Sequence, residues 1–427
     1  LSLKKRFFVC APCIFKSDFN LLDSSTVKKA SCSKSLYSTF CSLSAANKLF
    51  ASNFIFIYKV LSYLYKNMKK KINRRNFIKK ASIPVLGAAA LSSFNVHAST
   101  ITELNMVTSW PENFPGIGLG ANRLAQRIEN LSNKRIKVNV YSAGELVPPF
   151  GVFDAVSSGT ADLYHSAEFY WGGKNKAYPF FAAVPFGMTA EEFNSWIYSG
   201  NGQVLWDELG SNFNIKHFLV GNTGSTLFGW FKNELNSLED VSKLKIRSPG
   251  MGGDLLKTMG ATSINIPGGE ILQSLASGAI DAADWSNPVM DLAFGFYKVT
   301  NYCYYPDFKK PTVSISLGMN LDKWNSFDNE AKSIIEYACQ SENQEMLSDF
   351  MYKEVVAIEK LKSLGVEFRQ LPNDIVIEAK KNINGVLDNY TDTSLGKKIR
   401  DDYFQFLGLR TSYKDFDISN YLNFRKI

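Results

Sequence analysis

From residue 101 onward the chain alternates between two hydrophobic periods. Residues 101–109, with Leu104, Met106 and Val107, form a β-rich run; Leu119, Leu124, Ile128 and Leu131 recur at helical spacing; Ile136, Val138 and Val140 alternate with polar neighbours. The order is β-α-β, the opening of an α/β domain. Residues 152–162 then read as an apolar helix, a Ser158-Gly159 stop and Asp162 at a strand start, and the pattern returns at 271–281 with Ser277-Gly278 and Asp281. Glycine at 159 and 278 suits the left-handed residue that ends a helix. Two such units predict two similar lobes, each aiming the C-terminal end of a strand at a shared crevice, where ligands bind.

Two further runs complete the layout. Residues 217–221 and 312–318 are extended apolar segments, expected as strands that cross between the lobes and form a hinge. Residues 328–364 contain neither Pro nor Gly, longer than an ordinary globular helix, and predict a helix that leaves its own lobe. The expected division is a first lobe of residues 99–222 plus 312–352, a second of 223–311 plus 353–409, and a C-terminal tail of 410–427.

The sequence before residue 99 has another character. Met68-Lys69-Lys70-Lys71 is followed by Asn73-Arg74-Arg75-Asn76-Phe77-Ile78-Lys79, a mildly apolar stretch over 81–94, and the small-residue site Val96-His97-Ala98. This order reads as a twin-arginine export signal over 68–98, cleaved near Ser99, which directs a folded protein out of the cytoplasm. Because such a signal acts at an N-terminus, residues 1–67 are expected to be upstream sequence, and the pair Cys10 and Cys13 is then no redox or metal site. Residues 1–98 hold 17 Lys and Arg against 2 Asp, so the chain's formal +8 becomes −7 for the remainder. Nucleic-acid binding loses its support. Cys303 and Cys339 remain, too few for a disulfide scaffold, and are expected as buried free thiols.

Catalytic motifs are absent from the sequence: there is no His-Glu-x-x-His, Gly-x-Ser-x-Gly or Walker loop. His165 and His217 sit in strand-like runs and read as packed residues rather than bases. Gly116-Ile117-Gly118-Leu119-Gly120-Ala121 fits a dinucleotide fingerprint, but Pro111 and Pro115 separate it from the preceding strand and no acidic residue follows at the right distance. Helix packing is the reading for it. Aromatic clusters at 169–171 and 302–305, beside Gly172-Gly173 and Pro306, are expected in loops that wall a pocket.

Four segments together carry a family resemblance: Gly144-Glu145-Leu146-Val147-Pro148; Gly221-Asn222-Thr223-Gly224 leading to Gly229-Trp230-Phe231; Ile246-Arg247-Ser248-Pro249-Gly250-Met251-Gly252-Gly253; and Asp281-Ala282-Ala283-Asp284-Trp285. With these, the chain from residue 101 resembles the solute-binding proteins of tripartite ATP-independent periplasmic (TRAP) transporters, in the α-keto acid binding branch. The resemblance implies a two-lobed periplasmic binding protein fold with hinge strands, a long inter-lobe helix and a C-terminal helical extension. It also implies capture of a small monocarboxylate, delivery to membrane permease subunits, and a homodimer that exchanges a C-terminal helix.

By the same resemblance Arg247 clamps the substrate carboxylate, in two parallel hydrogen bonds from its planar fork. Phe169 and Tyr170 cover the apolar end, Asn222 donates to a keto or hydroxyl oxygen, and Trp285 completes the pocket. Asp284 and the Trp285 backbone oxygen stand where the branch holds a cation with Glu-Trp, so a sodium or calcium ion bridging the ligand is expected from the family, with no other cofactor. Three positions depart. Asp284 is shorter than Glu by about one C–C bond, 1.5 Å; Thr226 replaces Gln and Lys310 replaces Glu. Lys310 either pairs with Asp284 and takes the cation's place, or points to solvent and leaves the ion bound. The rival readings are a secreted lyase or hydrolase with an inter-lobe active site, which needs a general base near the clamp, and a ligand receptor that signals to a sensor.

Overall fold

The computed structural model describes residues 101–425; the export signal over 68–98, the segment 1–67 and its cysteine pair lie outside the described residues. The first half runs β1 (Thr102–Thr108), α1 (Ile117–Leu131), β2 (Ile136–Tyr141), α2 (Val152–Ser157), β3 (Leu163–Ser166), α3 (Ala190–Ser199), α4 (Gly202–Ser211) and β4 (Ile215–Asn222). After the first crossing come β5 (Gly229–Phe231), α5 (Leu238–Val241), β6 (Lys245–Arg247), α6 (Gly250–Thr258), β7 (Thr262–Ile264), α7 (Gly268–Ser277), β8 (Ala282–Ala283), α8 (Pro288–Phe294) and β9 (Tyr302–Tyr305). The chain then recrosses into β10 (Ser314–Asn320), α9 (Leu321–Ser326), α10 (Asn329–Ser363), β11 (Glu367–Gln370), α11 (Asn373–Asp388), α12 (Ser394–Ser412) and α13 (Ile418–Phe424). Among the described residues no helix is long and apolar enough to cross a membrane.

The first sheet has the order β2-β1-β3-β10-β4 and the second β11-β9-β5-β8-β6-β7. In the first, β2, β1 and β3 are parallel and β10 runs antiparallel between β3 and β4. In the second, β7, β6 and β8 are parallel and β5 runs antiparallel between β8 and β9. Read from β7, the second sheet repeats the first. The internal similarity of the sequence is therefore a structural duplication: Gly159 (φ 80°) follows α2 and leads to β3, Gly278 (φ 76°) ends α7 and leads to β8, and β3 and β8 hold the same place in their sheets. Each antiparallel insert comes from chain that has just crossed over. The expected hinge strands are β4 and β10, and they turn out to be hydrogen-bonded neighbours in the first sheet.

The long helix is α10, 35 residues, opened by Asp328 Oδ1 accepting from the Ala331 N–H at 2.7 Å. It packs on β4 and α1 of the first sheet and on α8 beside the second. The Gly-x-Gly-x-x-Ala segment serves this contact: a Cβ at Gly116 would stand 2.0 Å from Phe350 Cζ, and one at Gly120 would stand 2.4 Å from Met346 Cε. Only a bare backbone lets α1 approach that closely.

Two expectations need correction. Helix α12 does not join the second sheet; it packs on α3 and α4, with Asp402 accepting from Trp196 Nε1 at 2.6 Å and Tyr403 Oη accepting from the Met188 N–H at 2.9 Å. The cluster 302–305 is not a pocket loop but strand β9, with Cys303 and Tyr304 buried and the Tyr304 hydroxyl accepting from the Leu235 N–H at 2.7 Å. The alternation Tyr-Cys-Tyr-Tyr fits a pleated strand, and Pro306 only ends it. Cys303 and Cys339 are buried and unbridged.

One buried charge centre lies in the first lobe. Glu168 is fully buried, accepts from the Tyr164 hydroxyl at 2.8 Å, and has its other oxygen 3.8 Å from His217 Nε2. Burial pushes Glu168 up to about 8, against the opposing hydrogen bonds of Ser316 and Tyr164, and burial holds His165 and His217 down at about 3. The native state thus holds an extra proton on Glu168 between its ordinary value near 4.5 and 8, so stability from this group is lost as pH rises through that window. The two histidines act with opposite sign between about 3 and 6.5, where stability rises with pH. Glu168→Gln should flatten the decline between pH 5 and pH 8, by at most about 4 kcal/mol, leaving the decline from Asp291 and Glu354, which burial raises to about 7, and the opposing rise from the two histidines. Urea midpoints of both proteins at the two pH values measure this; an unchanged slope would exclude a protonated Glu168.

Candidate functional site

Strands β6 and β8 are parallel neighbours, with Arg247 opposite Ala283 and the Asp284 N–H donating to the Arg247 carbonyl at 3.0 Å. Their sequences make this possible: Ile246, Ala282 and Ala283 are fully buried, and the two alanines let β8 lie in the sheet interior. Arg247 and Asp284 therefore leave adjacent strands at their C-terminal ends, the position at which open α/β sheets bind ligands. Glycines after β6 allow the surroundings to close in. A Cβ at Gly250 (φ +64°) would meet Phe169 Cβ at 3.1 Å, and one at Gly252 would meet Lys309 Cβ at 2.9 Å.

Asp284 is the hub. Its Oδ1 accepts from Lys310 Nζ at 2.9 Å and Arg247 Nη1 at 3.4 Å; its Oδ2 accepts from the Ser248 hydroxyl at 2.6 Å and faces Lys309 Nζ at 3.5 Å. Burial alone would raise this carboxyl, but Lys310, Lys309, Arg247 and the Ser248 hydrogen bond outweigh it, and Asp284 lies below its ordinary value. Lys310 Nζ also donates to the Trp285 carbonyl at 2.7 Å. Burial lowers Lys310, with Asp284 and Asp307 opposing. Lys309 is spent within the protein, donating to the Phe228 carbonyl at 2.7 Å and Asp307 Oδ1 at 2.8 Å, with its ammonium 3.7 Å from the Phe228 ring centre.

Arg247 is 1% exposed and stacks over Trp285 at 5.0 Å. Its fork is largely committed: Nε donates to the Ile266 carbonyl at 3.2 Å and Nη1 to the Asp284 carbonyl at 2.9 Å. This departs from a guanidinium free to hold a carboxylate with both prongs. Nη2, which reaches the Tyr170 hydroxyl at 3.4 Å, is the edge with donating capacity left.

The first lobe supplies an aromatic wall. Phe169 and Tyr170 stand on the 3-10 turn Glu168–Trp171, 4.5 Å apart edge to face, and Phe150 packs 4.7 Å from Tyr170. Trp110, just beyond β1, lies 6.4 Å from both Tyr170 and Trp285 and donates to His165 Nδ1 at 2.8 Å. Of the residues expected at the site, Arg247, Asp284, Trp285, Lys310 and Tyr170 come together, with Phe169 behind them. Thr226 is turned to a supporting task, donating to the Lys310 carbonyl and to Asp307 Oδ2 at 3.3 Å. Asn222 spends its oxygen on the Thr312 hydroxyl and the Gly224 N–H, and its buried Nδ2 has no partner among the described residues. Trp110, Ser248, Lys309 and Asp307 were missed; Trp110 was findable as the bulky residue at the C-terminal end of the first parallel strand. Two open surface recesses are not lined by this charged cluster, one around Gln203 and Gln340, the other around Glu112 and Asn122.

Nothing in this arrangement performs covalent chemistry. His165 is held by Trp110, His217 is stacked on Trp206 at 5.2 Å, and burial keeps both near 3, too weak as bases at neutral pH. A charged, desolvated cluster capped by rings is the candidate binding site.

The sequence profile of the bacterial extracellular solute-binding protein family 7 matches residues 106–393. The chain belongs to this family. It is 34% identical over 316 residues to a monocarboxylate 2-oxoacid-binding periplasmic protein of Nostoc sp., covering 73% of this chain and 86% of that one. A TRAP transporter solute-binding protein from Bordetella bronchiseptica, solved as a mixed-occupancy dimer with calcium and picolinate in one site, superposes with a TM-score of 0.74 at 28% identity, covering 76% of this chain and 97% of that chain. A TRAP periplasmic solute-binding protein from Pseudoalteromonas atlantica, with bound sodium and pyruvate, gives a TM-score of 0.73 at 30% identity, covering 76% and 99%. This chain is a TRAP solute receptor, not an enzyme, and works outside the cytoplasm with a membrane permease.

A metal ion of the kind those two structures hold does not fit the residues found here. A carboxylate offers about four lone-pair sites, and those of Asp284 face Arg247, Ser248, Lys309 and Lys310.

Proposed function

We propose that this receptor captures a small monocarboxylate, a 2-oxo acid such as pyruvate or a 2-hydroxy acid such as lactate, between its lobes and hands it to the permease. The observation that carries the reading is the buried set of three cationic side chains, Arg247, Lys309 and Lys310, in contact with only two carboxylates, Asp284 and Asp307. Below about pH 7, where burial keeps the neighbouring Asp291 protonated, one buried positive charge is left over, and a monocarboxylate neutralises it. Arg247 Nη2 and the third proton of Lys310 Nζ are the donors for the ligand carboxylate. Tyr170, Trp110 and Trp285 cover the apolar end, with Phe169 behind, and Asn222 Nδ2 is available for the keto or hydroxyl oxygen. The names of the relatives, a 2-oxoacid-binding protein and a pyruvate complex, support the ligand class.

Closure follows from the connectivity. The segments between β4 and β5 and between β9 and β10 are the places where the lobes rotate, and the ligand stabilises the closed state by contacts made from both sides. Export by the twin-arginine route, from the Arg74-Arg75 signal and cleavage after Ala98, is part of the reading. So is a homodimer: Met351, Tyr352, Val355 and Val356 form an exposed apolar stripe on α10, and α13 has no buried residue while exposing Ile418, Tyr421 and Phe424.

Three outcomes test this. Arg247→Lys should weaken pyruvate binding by about 2 to 5 kcal/mol in calorimetry while leaving the melting transition cooperative, because a point charge replaces a fork that holds Asp284, Ile266 and the ligand together; unchanged affinity would remove Arg247 from the site. The intact mass of the exported protein should begin at Ser99. Deleting residues 411–427 should turn a dimer in light scattering into monomer or insoluble protein, and a monomer peak for the undeleted mature chain would count against pairing.

A further inference from the structure

We infer that Lys310 takes the place of a metal ion: its ammonium supplies the charge beneath the ligand, so this receptor binds its carboxylate without sodium or calcium. The inference rests on the ligand class proposed above and narrows how that ligand is held.

The two similar structures hold an ion together with a carboxylic acid, calcium with picolinate and sodium with pyruvate. A hard cation collects carboxylate and carbonyl oxygens. In this chain an ammonium has collected them. Lys310 Nζ sits 2.9 Å from Asp284 Oδ1 and 2.7 Å from the Trp285 carbonyl, on a side chain that is 5% exposed. The hydroxyl of Thr226 holds the Lys310 carbonyl, so the backbone carrying this ammonium is itself tied to the hinge segment.

Charge and acceptor capacity both exclude a second cation. Asp284 is the one carboxylate in contact with all three cationic side chains, and Asp307 Oδ1 is occupied by the Lys309 N–H and ammonium, while its Oδ2 lies 3.3 Å from the Thr226 hydroxyl. An added sodium or calcium ion would meet three cationic side chains around Asp284 and find both oxygens of that carboxylate taken. Lys310 differs from Lys309 in what remains: Lys309 faces three acceptors, the Phe228 carbonyl, Asp307 and Asp284, whereas Lys310 uses two protons and keeps one. That proton gives the ligand carboxylate a second donor beside Arg247, which shares Asp284 Oδ1 with Lys310.

The test uses the mature receptor after exhaustive chelation in sodium-free buffer. Pyruvate and lactate are titrated by calorimetry with and without 1 mM calcium or 100 mM sodium, concentrations of about the order that fills weak extracellular sites. Affinity within about 2-fold across the buffers is expected. A loss of about 10-fold or more on chelation, restored by either ion, overturns the inference. Lys310→Met should weaken binding by at least about 10-fold in every buffer; unchanged affinity also overturns it. Lys310→Glu, which removes one positive charge and adds an acidic ligand, should gain one calcium per chain in equilibrium dialysis, while the unsubstituted protein retains none. Dialysis needs no organic ligand, so it decides the inference even if no acid binds in any buffer, a result that would sink the proposed function alone. Calcium retained by the unsubstituted protein overturns the inference.

Discussion

Four donors from two separate stretches of chain converge on the Asp284 carboxylate, and the arrangement at the lobe boundary depends on that convergence. Arg247 and Ser248 come from the end of β6, and Lys309 and Lys310 from the segment that recrosses toward β10. Like charges packed this closely repel, and burial removes the water that would screen them. A single carboxylate with two oxygens, each meeting two donors, converts the repulsion into a fixed geometry. Removing it would leave three buried cations facing one remaining carboxylate, Asp307.

The hub also joins the site to the hinge. Lys309 and Lys310 lie in the second crossing segment, and Thr226, which holds the Lys310 carbonyl, lies in the first. The two crossings are thereby tied to each other and, through Lys310, to the strand ends of the second sheet. Asn222 extends the linkage, with its oxygen bound by Thr312 of the second crossing and Gly224 of the first. A ligand that engages Lys310 and Tyr170 touches both the hinge and the opposite lobe.

Much of this was legible in the sequence where local physics dominates. The helix-stop-strand units at 152–162 and 271–281, the helix expected over 328–364 and observed at Asn329–Ser363, and the strand end at Arg247 rest on periodicity and on Gly chemistry. Arg247, Asp284 and Lys310 emerged from family motifs whose spacing survived. Illegible were features set by long-range packing. The strand at 302–305 was misread because three tyrosines and a cysteine before a proline look alike in a loop and in a buried strand. Helix α12 was placed with the wrong lobe, since nothing near Asp402 and Tyr403 announces Trp196 and Met188 about 200 residues earlier. The guanidinium of Arg247 was expected free; that it is mostly consumed by two backbone carbonyls depends on sheet register, which no motif encodes.

The interleaved sheets bear on the order of events during synthesis. In the first sheet β10 lies between β3 and β4, and Ser316, in β10, donates its hydroxyl to the Ser166 carbonyl across 150 positions of sequence. Until residue 320 has left the ribosome, β3 and β4 each present an unpaired edge built mostly from buried residues, a surface that invites pairing with other chains. At roughly 5 to 20 residues per second the exposure lasts from several seconds to about thirty. A nascent chain of this topology is a client for a holding chaperone over that interval, and its first lobe matures only after most of its second has been made.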